Sequence, residues 1–161
     1  MKHVILFVLM LGASTPLFAQ QLSKNAIGIR ISESRAIGAE VNYQRAIMNN
    51  NRLEFGLGLR RHSHYDVSKL TGLFEWVWHI DGNFNWYVGP GLGLGSVNFD
   101  HHHHHHHPND RFFAYATGVV GIEYYFDFPL LLSFDFRPEI DFGGVRDDVN
   151  FDIGISARYQ F

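Results

Sequence analysis

The stretch FDIGISARYQF (residues 151–161) alternates without a break. Phe151, Ile153, Ile155, Ala157, Tyr159 and Phe161 fall on one face of an extended strand, and Asp152, Gly154, Ser156, Arg158 and Gln160 on the other. Successive side chains in a strand point to opposite sides, so one face suits hydrocarbon and the other suits water. The stretch finishes on an aromatic ring. This is the pattern of the closing strand of a transmembrane β-barrel.

The other end of the sequence points the same way. Lys2 precedes the apolar run Val4–Gly12, and ASTPLFAQ follows. The run is too short to anchor in a bilayer, so residues 1–19 read as a cleaved secretory signal with the cut after Ala19, although Leu17 is larger than the residue preferred there. There is no cysteine, which excludes a lipid-modified amino terminus and a disulfide framework. No second long apolar run exists, so helical spans are excluded. Residues 20–161 have the length of one domain. The formal net charge of −3 gives no support for nucleic-acid binding. Sixteen glycines and a 16% aromatic share, with 18% charged residues, favour β-structure with close backbone approaches. A mean hydropathy near zero is what lipid-facing and water-facing residues give when they alternate and cancel.

Parity predicts eight strands, at 24–32, 36–47, 52–60, 68–80, 84–95, 111–126, 130–142 and 151–161. MNNN, DGN and DFP supply tight turns. Pro90 lacks a backbone donor and predicts a bulge or kink in the fifth strand. An even count returns both termini to one side, read as periplasmic. Tyr43, Trp78, Phe84, Trp86, Tyr124, Phe126, Tyr159 and Phe161 then gather at that side as an interfacial belt, with Phe99, Phe112, Phe142 and Phe151 as a sparser belt opposite. A soluble cup of the lipocalin or streptavidin kind is the alternative. It would have to hold all these Trp, Phe and Leu side chains inside a small barrel, and the volume does not fit.

With strand count, alternation and the terminal YQF in place, residues 22–161 resemble the small eight-stranded outer-membrane barrels of Gram-negative bacteria, the OmpA/OmpX-like group. The resemblance implies an all-β, up-and-down transmembrane barrel in the outer membrane, in contact with its lipid and assembled by the barrel-insertion machinery. Members of the group include structural proteins, adhesins, lipid-modifying enzymes and subunits of complexes, so the fold does not choose a role.

The inward face carries Glu40, Glu54, Glu75, Glu123, Asp135, Glu139, Asp141 and Asp152 against Arg30, Arg60, Arg137 and Arg158. An eight-stranded barrel is too narrow for an aqueous channel, and charges confined there must pair. A salt-bridged plug is therefore expected, with glycines 89, 91, 93 and 95 leaving room for long side chains from the facing wall. A cation or proton path through the surplus carboxylates is the competing reading.

Seven consecutive histidines, His101, His102, His103, His104, His105, His106 and His107, stand in the third external loop between Asp100 and Asp110; the second carries His62, His64 and Asp66. Imidazoles beside carboxylates form a candidate surface site for zinc, nickel or copper. A run this regular equally fits an engineered tag, placed internally so that Phe161 stays free, or a passive tract. His62, Ser63, His64 and Asp66 also supply the residue types of a lipid hydrolase, but one short loop does not hold a nucleophile on a rigid strand, and His79 is expected in an internal network with Glu75. No cofactor is implied beyond an adventitious or surface-bound divalent metal. The function expected is a non-enzymatic barrel with a closed lumen and a structural or surface-interaction role; a lipid-modifying enzyme and a surface metal-binding protein are the alternatives. An unidentified membrane-protein partner on the lipid-facing wall stays open.

Overall fold

The computed structural model describes residues 22–33, 37–61, 65–99, 111–142 and 149–161. Among them, eight antiparallel strands close into a barrel in chain order. They are β1 (Asn25–Glu33), β2 (Ile37–Met48), β3 (Asn51–Arg61), β4 (Tyr65–Asp81), β5 (Phe84–Phe99), β6 (Arg111–Tyr125), β7 (Leu130–Asp141) and β8 (Asn150–Gln160). Each pairs with its neighbour in sequence, and β1 pairs with β8 to close the ring. The signal segment expected over residues 1–19 lies outside the described residues.

Alternation sets the two faces. Ile27, Ile29 and Ile31 of β1, Leu57 and Leu59 of β3, Leu92 and Leu94 of β5 and Ile153 and Ile155 of β8 are exposed on the outer wall. Residues of the opposite parity, among them Arg30, Glu54, Glu123, Asp135 and Arg158, are buried inside. A one-residue slip would exchange the two sets, so the pattern fixes the register. The tight turns sit together at one end of the barrel, the turn end. At β4–β5 the backbone reverses through Gly82 at φ 55°, a left-handed conformation that the DGN sequence supplies without a Cβ penalty.

Rings collect at the turn end as predicted. Trp78 stacks on Trp86 with centroids 4.6 Å apart, Phe84 meets Tyr124 at 4.8 Å, and Tyr124 meets Phe126 at 4.8 Å. At the opposite, loop end Phe112, Phe142 and Phe151 are exposed; the Phe99 side chain lies outside the described set.

Two local expectations need correction. Pro90 interrupts the ladder as expected, but not with a bulge: β4 pairs with β5 in one unchanged register on both sides of it, with the rungs between Leu73–Gly91 and Trp76–Val88 missing. Proline withholds its donor, and Gly89 lets β4 close in, since a Cβ there would lie 1.8 Å from the Phe74 carbonyl oxygen. The register shifts occur instead beside turns, at Ala46/Met48 and His79/Asp81. Asp66, read as a loop residue, belongs to β4 and stands opposite Arg61, and β5 extends to Phe99 opposite Tyr65. The inward series Lys69, Thr71, Leu73 simply continues to buried Val67, so the hairpin keeps pairing beyond the clearest alternation.

Candidate functional site: the lumen

Charge fills the lumen along β7, β8, β1, β2 and β3. Arg30 donates to Asp135 through Nε at 3.0 Å and Nη2 at 2.6 Å, and its Nη2 also reaches Asp152 at 3.1 Å. Asp152 accepts from Arg60 at 2.7 Å and from the Ser32 hydroxyl at 3.3 Å. Arg137 lies 3.2 Å from Asp135 and donates to Glu40 at 3.3 Å and Glu54 at 2.8 Å. Glu54 also accepts from Arg158 at 2.9 Å and Gln44 at 2.5 Å, while Arg158 reaches Asn42 at 3.1 Å and Ser133 at 2.6 Å. The planar guanidinium fork lets one arginine join two carboxylates on different strands. Opposite charges thus alternate in a chain from Arg60 through Asp152, Arg30, Asp135, Arg137 and Glu54 to Arg158.

Two further cations complete the pairing. Arg52 lies 2.6 Å from Glu75 and 2.8 Å from Glu123, and its guanidinium stacks 4.8 Å from the Tyr87 ring centroid. Lys69 pairs with Glu139, which also accepts from Asn150. Both cations have the inward parity of Glu54 and Thr71, which is the signal that finds them. The carboxylate surplus consequently shrinks: Glu40, Glu54, Glu75, Glu123, Asp135, Glu139 and Asp152 each have a cationic partner. Asp141 is half-buried at the loop end of β7. His79 bonds Asn85 at 3.1 Å through its ring Nδ1 rather than joining Glu75.

The β5–β6 wall is filled differently. Gly93 stands opposite Tyr115, Gly95 opposite Phe113 and Gly121 opposite Tyr87. A Cβ at Gly93 or Gly95 would sit 2.2 Å from the neighbouring ring, and at Gly121 2.4 Å from that of Tyr87. The space left by these glycines is taken by aromatic rings of the adjacent strand, not by side chains from the facing wall. Tyr115 bonds Thr71 at 2.5 Å, and Tyr87 donates to Asp135 at 3.3 Å, linking the two walls. A cavity of about 30 Å³ near the loop end, bordered by Arg30, Arg60, Lys69, Arg137, Glu40 and Asp152, has room for about two waters. This arrangement fixes charge across the lumen.

Of the residues considered for metal or catalysis, His62, Ser63, His64 and His101–His107 lie outside the described residues. Asp66 stands at the loop end of β4. Among the described residues no group of three or more His, Cys, Asp or Glu is arranged to hold a metal ion.

No protein-family model matches the sequence, and no curated relative does. Solved structures do match. The N-terminal β-barrel domain of Pseudomonas aeruginosa OprF superposes with a TM-score of 0.67 at 15% identity, covering 88% of this chain and 98% of that one. Neisserial surface protein A gives 0.64 at 12% identity, covering 85% and 94%. Ail, the attachment invasion locus protein of Yersinia pestis, gives 0.60 at 14% identity, covering 86% and 97%. Identities this low speak for the architecture alone, and the architecture is that of the small, OmpA/OmpX-like eight-stranded outer-membrane barrels.

Proposed function

We propose that this protein is an integral outer-membrane barrel with a closed lumen, acting as a structural or surface-interaction element rather than as a pore. In this reading the signal over residues 1–19 is removed, both ends of the barrel domain face the periplasm, and the insertion machinery places the barrel in the outer membrane. The observation that supports the closed lumen is the alternating ionic chain from Arg60 to Arg158 together with the second cluster around Arg52. Purified protein in planar bilayers should give no large, steady conductance, while unheated gel samples migrate as a compact, resistant barrel. A porin-like conductance from the unmodified protein would refute this function.

A further inference from the structure

We infer that residues 22–24, just ahead of β1, form a strap that seals the turn-end mouth of the lumen, with Leu22 as its plug. Ahead of β1 the alternation stops: Lys24 shares the parity of inward Ala26, Gly28, Arg30 and Ser32 yet is exposed, so the chain leaves the strand path before Asn25. The Lys24 carbonyl accepts from the Ala46 backbone N–H at 3.0 Å, and Asn25 exchanges backbone hydrogen bonds with Phe161 at 3.1 and 2.9 Å. The chain is therefore held at the rim on both sides just beyond Leu22.

Leu22 packs against a buried apolar cluster of Leu73, Val77, Tyr87 and Val119, contributed by β4, β5 and β6. In an eight-stranded ring β1 faces β5, so a residue preceding β1 meets that cluster only by crossing the mouth. The cluster members are at most 3% exposed, although Val77 stands only four residues from the turn at Asp81. The Arg52, Glu75 and Glu123 cluster adjoins these apolar residues through the Tyr87 ring. A leucine seated over this entrance shields apolar surface and closes the approach of water to those three charges. The two ends of the lumen are thus closed by different means: charged side chains narrow the loop end, and residues 22–24 close the turn end.

The absence of cysteine makes a direct test clean. A single Val77→Cys variant in lipid vesicles should react slowly with a small, water-soluble methanethiosulfonate. Adding Leu22→Ser should raise that rate about tenfold or more, through local opening, while Val97→Cys, buried near the loop end, reacts at the same rate with or without Leu22→Ser. Equal rates at Val77→Cys in the two backgrounds would overturn the inference. Should Val77→Cys fail to form a heat-modifiable barrel, single variants outside the cluster decide. Leu22→Cys should be labelled several-fold more slowly than Lys24→Cys, whose native side chain is exposed; equal labelling overturns the inference as well.

Discussion

The wall formed by β7, β8, β1, β2 and β3 projects most of the lumen's charged side chains inward, whereas β5 projects none: between Asn85 and Val97 its inward positions are Tyr87 and glycines 89, 91, 93 and 95. Both walls answer one constraint, that an eight-stranded ring must be filled by its own side chains. The charged wall fills it with long arginines that require carboxylates on other strands. The glycine wall removes its own side chains so that rings from β6 can lie flat against it. The difference predicts two kinds of failure. Removing one member of the charged wall strands its partners, while adding volume to the glycine wall creates overlap.

The largest effect is expected in the charged wall. Arg137→Ala leaves Glu40, Glu54 and Asp135 each short of a cation, and breaking a buried pair on one side costs about 3–5 kcal/mol. Urea unfolding in micelles measures it; a loss below about 1 kcal/mol, the value of an exposed pair, would show that water screens this wall. A smaller loss, about 1–3 kcal/mol from overpacking, is expected for Gly93→Val, because of the ring 2.2 Å from its Cβ position. Combined with Tyr115→Ala, the two changes should cost less than their sum, since the overlap disappears; strict additivity would mean that ring and glycine do not share the space. The smallest effect belongs to the link between walls. Tyr87→Phe removes the 3.3 Å hydrogen bond to Asp135 and should cost about 1 kcal/mol, with gel migration unchanged. A loss as large as that of Arg137→Ala would make the two walls one cooperative network.

How much of this was legible in sequence follows from the same contrast. Parity places Arg30, Glu54, Asp135, Arg137 and Arg158 inside, because a period of two is a backbone property that needs no knowledge of neighbours. It equally places Arg52 and Lys69 inside, near the start of β3 and within β4. Which carboxylate each arginine meets was not legible, since Arg30 reaches Asp135 across a separation of 105 residues and that distance is set by closure of the ring. The filling of the glycine wall was half legible: the missing side chains are visible in GPGLGLG, but the rings that replace them come from register with β6. Pro90 signalled an interruption but misled as to its form, because a missing donor can be absorbed by skipping rungs as well as by inserting a residue. The plug at Leu22 carried no sequence signal, as one leucine beside a polar stretch is unremarkable until the mouth it covers is known.

The pairing of β1 with β8 has a consequence for how the chain assembles. It joins residues from opposite ends of the sequence, so its closure bears the greatest loop entropy of any rung, and until it forms, two strand edges carry unmet backbone groups that hydrocarbon does not tolerate. Register at this last join must be right the first time. Gly28 helps, for a Cβ there would lie 2.1 Å from the Ala157 carbonyl oxygen, so a strand shifted to bring a bulkier residue to that point could not close. The polar contacts give a second check, because Arg30 of β1 finds the Asp152 carboxylate of β8, and Arg158 of β8 donates to the Asn42 amide oxygen of β2, only in the native alignment. The interior charges then act as a lock on the zip: they reward one alignment of the first and last strands and leave every neighbouring one with ions stranded in a space that cannot hydrate them.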